Sequence, residues 1–240
     1  MEALHLSNGS VHGGNPDSPS SPTTSSRTFE SSELYKGVYD YVKQYMSRFD
    51  ASHDFNHILR VEALANHILR EEQRENPDKE FDNQTIVLAA LLHDVGDAKY
   101  VQPGESAEHM IDQVLQKHGC PPALIAKVAL IVEHVSYSKE VKRPQLVQAI
   151  LNSHPELAIV QDADRLDAIG AVGIARTFAF TAAKISSERG LETSIDHFGE
   201  KLERLEGMMK TESGRRLARE RTERLKVFRR WWEEEQVLIS

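Results

Sequence analysis

His93 and Asp94 stand side by side at the end of an unbroken apolar run, Ile86-Val87-Leu88-Ala89-Ala90-Leu91-Leu92. A charge buried without a partner is very costly, so a carboxylate at such a position needs a counter-charge or a metal. A second histidine lies upstream, in His57-Ile58-Leu59-Arg60-Val61. A second aspartate lies downstream, in Asp162-Ala163-Asp164-Arg165-Leu166-Asp167. Two imidazoles and two carboxylates from three segments make a mixed nitrogen and oxygen site. Such a site suits one divalent ion: Mn, Ni, Fe, Co, Zn or Mg. The ion would lower the pKa of a bound water toward neutrality and stabilise charge building on a phosphoryl group.

Other residues fit the same chemistry. Asp97, just past the His93-Asp94 pair, is placed to accept or donate a proton. Lys99 in the following loop, Arg60 one turn from His57, and Arg165 beside Asp164 are candidate holders of a phosphate tail. Arg165 is also placed to pair with Asp162. Glu133-His134 closes another helical segment, and His134 is counted with the substrate-binding candidates or as a ligand to a second ion. Asp54, Asp162 and Asp167 are candidates to orient a ligand histidine through its other ring nitrogen. Of the remaining histidines, His53 is the one expected to line the pocket.

These residues need helices to carry them. From about residue 30 the apolar spacing is helical and almost never strand-like: Leu34, Val38, Tyr41 and Val42 recur at that period, as do Ile58, Val61, Leu64, Ala65 and Ile68. Asp54 is a plausible N-cap for the His57 helix, and Asn76-Pro77-Asp78 ends it. The segment from about 84 to 95 is apolar on nearly every side and should be central, with Gly96 as its stop. Further helices are expected near 105 to 118, 124 to 135 and 145 to 152. One helix is expected to hold Asp164 and run on through Ile169 and Val172 to Phe178. Neighbouring residues are ~100° apart around a helix, so His93 and Asp94 can share an ion only at the seam between their directions.

Composition narrows the class. The chain has 240 residues, 40% hydrophobic, with a formal charge of -8, and a pI near 5.8. That balance argues against a protein that coats nucleic acid, which needs a concentrated cationic face. A small phosphorylated substrate needs only a few local cations and remains compatible. Cys120 is the only cysteine, so no intrachain disulfide can form. No apolar stretch is long enough for a membrane span. Met1-Glu2-Ala3-Leu4 opens no signal peptide. A cytoplasmic protein is expected, with the nucleus also open. Residues 1–28 read as a disordered low-complexity tail rich in Ser, Thr and Pro, and 29–240 as a single all-α domain. The charged stretch from about 196 to 236 reads as a solvated helical face. The Trp231-Trp232 region could pair two copies into a homodimer or pack on the core.

The order His57 … His93-Asp94 … Asp164 resembles the H…HD…D pattern of the HD superfamily of metal-dependent phosphohydrolases. The likeness extends through His53-Asp54-Phe55-Asn56-His57, Leu91 to Lys99, Ser136-Tyr137-Ser138-Lys139 and Asp162 to Ala171. These stretches are similar to the small stand-alone HD hydrolases, several of them nucleotide pyrophosphohydrolases. The resemblance covers about residue 30 to the end. It implies an all-α HD-domain helical bundle with a C-terminal helical extension. It implies one divalent ion held by His57, His93, Asp94 and Asp164, and hydrolysis of a nucleotide phosphoanhydride or phosphoester. The GYP-containing motif of the cyclic-dinucleotide phosphodiesterases is absent. Two other expectations compete: a module that senses a nucleotide without turnover, and a di-iron oxygenase, which would need Glu133, His134 and His109 as extra ligands.

Overall fold

Among the described residues every regular element is helical. The computed structural model describes residues 29–50, 53–96, 106–184 and 190–237. Asp97, Lys99 and the 1–28 tail therefore lie outside the described residues. The helices are α1 (Glu33–Met46), α2 (Phe55–Glu75), α3 (Asn83–Leu92), α4 (Ala107–Lys117), α5 (Pro122–Val135), α6 (Tyr137–Lys142), α7 (Pro144–Ser153), α8 (Glu156–Asp167), α9 (Gly170–Lys184), α10 (Glu192–Glu200) and α11 (Glu212–Gln236). A 3₁₀ turn, Leu202–Met208, precedes α11. No single helix described is long and apolar enough to cross a membrane.

α3 is the central rod, as its uniform hydrophobicity requires. Every residue from Thr85 to Leu92 is buried, and α1, α2, α5 and α8 pack around it. Local chemistry fixes where each helix starts and stops. Asp54 accepts a hydrogen bond from His57 N at 3.0 Å. Asp82 accepts from the amides of Gln84 and Thr85 at the head of α3. These caps satisfy amides that have no partner inside the helix. Gly96, at φ 77°, turns the chain sharply after His93 and Asp94.

The expected single helix from Asp164 to Phe178 is two helices. α8 ends at Asp167, and α9 leaves it at 69°. Gly170 sits at the corner with φ 75°, a conformation that costs any residue with a Cβ about 1–2 kcal/mol. The apolar spacing continues across the corner through Ile169, Val172, Ile174 and Phe178, so periodicity alone hides the break, although Val172 is exposed. α11 locks the corner from outside. Arg221 donates to Leu166 O at 2.6 Å, and its side chain lies where a Cβ on Gly170 would fall, 3.1 Å away. The C-terminal stretch is thus only partly a solvated face. Phe228 and Trp232 close an aromatic cluster with Phe178 and Phe198, at centroid distances of 5.8 to 6.2 Å from Phe178. Trp231 stays exposed.

A buried carboxyl ties α1 to α2. Tyr35 donates its hydroxyl to Glu62 Oε1 at 2.9 Å. Burial pushes the Glu62 carboxyl up from 4.5 to about 7, with the Tyr35 hydrogen bond opposing and Glu30 adding repulsion. The folded value lies above the unfolded one. The stability this group contributes is therefore complete below about pH 4.5 and lost as pH rises through about 7. Glu62→Gln should remove that loss. Its melting temperature should fall less between pH 5 and pH 8 than the parent's, with a stability gain at pH 8 on the order of 1–2 kcal/mol. Parallel pH profiles for the two proteins would contradict the assignment.

Candidate metal centre

His57, His93 and Asp94 form one cluster, their ligand atoms within 4.8 Å of one another, and Asp164 stands beside the two imidazoles but outside that cluster. α2 carries His57 one turn inside its N-terminus, the turn after α3 carries His93 and Asp94, and the last turn of α8 carries Asp164. His57 Nε2 lies 3.1 Å from His93 Nε2. It lies 3.3 Å from Asp94 Oδ2 and 3.6 Å from Asp164 Oδ1. His93 Nε2 lies 3.6 Å from Asp94 Oδ1 and 3.7 Å from Asp164 Oδ1. Ligand atoms each about 2.1 Å from a shared ion stand about 3–3.5 Å apart, so this spacing accommodates one. His93 and Asp94 both face His57 Nε2 from the seam between their directions.

The other ring nitrogens decide the chemistry of this point. His57 Nδ1 lies 2.7 Å from Asp167 Oδ2, and His93 Nδ1 lies 2.8 Å from the carbonyl of Ala90. Both partners are acceptors, so in each neutral ring the proton sits on Nδ1 and Nε2 is a bare lone pair. Two bare nitrogens then face each other across 3.1 Å, with two carboxylates alongside. Asp94 Oδ2 is buried with no hydrogen-bond partner. Four lone pairs converge with no donor hydrogen between them. Such a cluster holds together only around a cation, either a shared proton or a metal. Burial works to raise the Asp94 carboxyl, but the His93 and His57 rings beside it win and hold it well below the usual carboxylate range. Burial likewise opposes charge on His57, but Asp167 and Asp94 outweigh it and push that imidazole above its ordinary value. Both directions describe a point that attracts positive charge.

Asp167 is the support behind His57. Besides the ring, it accepts from Arg60 Nε at 2.7 Å, from Arg60 Nη2 at 3.0 Å and from Arg176 Nη1 at 3.0 Å. It is 1% exposed. Burial raises its carboxyl, yet the hydrogen bonds from His57 and Arg60 hold it well below the ordinary range. A carboxylate behind a ligand histidine fixes the tautomer and raises the basicity of the ligating nitrogen.

The centre opens into a cavity of about 1510 Å³. His57, His93, Asp94 and Asp164 all line it. Arg176, Lys139, Lys142 and Lys201 supply cations, and Tyr137 and Phe180 supply aromatic faces. Lys201 Nζ sits 5.1 Å from the centroid of Tyr137. His53 lines the cavity as expected, with its ring 6.4 Å from His57 and 6.0 Å from Phe180.

Three expected substrate contacts are placed elsewhere. Arg60 spends its guanidinium on Asp167 and does not line the cavity. Arg165 is buried and bonds Met208 O at 3.0 Å and Glu140. Its partner is Glu140, whereas Asp162 accepts from the amides of Lys210 and Thr211. His134 is buried with Nδ1 against Leu130 O at 2.8 Å; its neighbour Glu133 lines the cavity instead. For Arg165 and His134 the adjacent side chain, Asp164 or Glu133, faces the cavity instead. Asp97 and Lys99 lie outside the described residues. Arg176 was missed, though its signal is that of Asp94: a lone charge in an apolar run, Ile174-Ala175-Arg176-Thr177-Phe178. Lys201 and His197 carry no comparable signal.

Comparison with known proteins matches the HD domain family over residues 54–169. The uncharacterized protein YpgQ of Bacillus subtilis (strain 168) is 34% identical over 188 residues, 77% of this chain and 84% of that protein. A crystal structure of Bacillus subtilis YpgQ in complex with ADP superposes with a TM-score of 0.63 at 32% identity, over 82% of this chain and 97% of that one. An HD-superfamily hydrolase from Bacillus thuringiensis superposes with a TM-score of 0.60 at 28% identity, over 85% and 96% of the two chains.

Proposed function

The chain belongs to the HD domain family, and from that premise we propose that it is a metal-dependent phosphohydrolase acting on nucleotides. His57, His93, Asp94 and Asp164 hold a single divalent ion. When bound, that ion supplies Lewis acidity toward a water and a phosphoryl oxygen. The observation that carries this reading is the pair of bare Nε2 atoms 3.1 Å apart, flanked by Asp94 and Asp164. No core needs such an arrangement, and it is stable only with a cation at its centre.

The remaining roles fall to residues around the site. Asp167 keeps the His57 proton on Nδ1 and so leaves Nε2 free to ligate. Arg176, on the cavity wall and against Asp167, places a positive charge near the reacting phosphoryl group, where it offsets negative charge in the transition state. Lys139, Lys142 and Lys201 attract the rest of a polyanionic tail. Tyr137 and Phe180 offer faces for a base. A nucleotide is favoured because the related YpgQ was crystallised with ADP. Asp97 follows Gly96 directly, and it is assigned the proton transfer with the attacking water.

The test is a chelation and rescue experiment with product identification. Protein stripped with EDTA should be inactive and should regain turnover when Mn, Ni, Co, Fe, Zn or Mg is returned. Pyrophosphate released from triphosphates, or inorganic phosphate from monophosphates, identifies the bond. Tight nucleotide binding with no product under any of these metals would replace hydrolysis with sensing.

A further inference from the structure

α6 is a wall of the cavity with little of its own to hold it in place. None of its residues is buried, and of its side chains only Tyr137 packs, half-buried, on the core. Yet Tyr137, Ser138, Lys139 and Lys142 all line the cavity. Glu140 departs from that face. Its Oε2 accepts from Arg165 Nη2 at 2.5 Å, and its Oε1 accepts from Lys210 Nζ at 2.8 Å.

Both partners are anchored in the body of the molecule. Arg165 is 2% exposed, follows Asp164 on α8, and donates its other arm to Met208 O at 3.0 Å. Lys210 donates its backbone amide to buried Asp162 at 2.9 Å, at the turn that starts α11. One carboxylate therefore joins the cavity wall, the helix that carries Asp164, and the C-terminal extension. Burial opposes its charge, but Lys210 and Arg165 keep the Glu140 carboxyl below its ordinary range.

We propose that Glu140 is a positioning residue: it fixes α6 so that Lys139 and Lys142 present their ammonium groups to the anionic part of the bound ligand. The inference rests on the reading of the cavity as a phosphate-substrate site. Its physical basis is that a lysine is a point charge on a flexible stem. Two such stems on an exposed six-residue helix hold a fixed anion only if the helix is itself held. Beyond its chain neighbours α5 and α7, α6 is held by Tyr137, packed on the core and facing Lys201, and by the Glu140 tie.

The test measures binding of ADP and of inorganic pyrophosphate to the full, metal-loaded chain by calorimetry. Because it does not need turnover, it is separate from the test of hydrolysis. Glu140→Gln keeps the shape and removes the charge, and it should weaken ADP binding about tenfold. The double variant Lys139→Ala, Lys142→Ala should also weaken it, and adding Glu140→Gln to that double variant should change binding less than twofold, since the tie then has nothing left to position. A lower melting temperature with unchanged ADP affinity would make Glu140 merely structural and overturn the proposal. So would fully multiplicative losses in the combined variant, or a parent chain that binds neither probe. If Glu140→Gln does not fold, Lys210→Met removes half of the tie. It should then weaken ADP binding about threefold, and an unchanged affinity overturns the proposal.

Discussion

Asp94→Asn should abolish turnover, by a factor of about 10³ or more, while the chain keeps its helical fold. The carboxylate is half of the negative charge at the centre and touches both imidazoles, at 3.3 Å from His57 and 3.6 Å from His93. An amide in its place is a much weaker ligand for a hard or borderline divalent ion. Losing the ion removes the activation of water and the stabilisation of the phosphoryl charge together, and each is worth several kcal/mol. Folding should survive for a specific reason. Asp94 Oδ2 is buried and unpartnered, and the asparagine NH₂ can donate to the bare Nε2 of His57. The variant relieves a cluster that is repulsive without its ion. Metal analysis, circular dichroism and a nucleotide hydrolysis assay on one preparation decide the matter. A folded Asp94→Asn protein with parental metal content and turnover would remove the foundation of the proposed reaction.

The largest effect on stability should come from Asp167→Ala. Asp167 accepts from one imidazole and two guanidinium groups, and it is almost fully buried. Its removal leaves Arg176, the His57 ring and the Arg60 head facing one another without the carboxylate that neutralises them. Breaking such a buried network by taking one partner costs about 3–5 kcal/mol. In the metal-free chain, urea unfolding should show a loss of that size. The metal-binding defect is separate: His57 loses the group that sets its tautomer, and affinity for the ion should drop about 10- to 100-fold. Asp167→Asn should be milder on both counts, because the amide oxygen can still accept from His57. An unfolding free energy within 1 kcal/mol of the parent's for Asp167→Ala would show that His57, Arg60 and Arg176 find other partners.

The all-α class and the gathering of His57, His93 and Asp94 could be read from residue order, while the cations that line the cavity could not. His57, His93 and Asp94 are conspicuous because each interrupts an apolar helical pattern, and burial makes an idle charge there too costly; Asp164, in a charged stretch and partly exposed, stands out only by its place in the H…HD…D order. Arg60 is a substrate candidate because it lies one turn from His57, and Arg165 because it sits beside Asp164 in the chain. Residues one turn apart share a helix face, so Arg60 meets the carboxylate behind His57, Asp167; adjacent residues point apart, so Arg165 turns from Asp164 to Glu140. The same rule separates Glu133, which lines the cavity, from His134, which does not.

Periodic hydrophobicity and cap residues were enough to place α2, α3 and α5 and to make α3 the buried rod, because those signals act within a few residues. The corner at Gly170, the bond from Arg221 that locks it, and the cationic wall of Lys139, Lys142, Arg176 and Lys201 arose only when distant segments packed together. A side chain's pattern along the chain tells whether it faces inward. Which partner it meets there depends on the angles between helices, and those are set by the packing of the whole core.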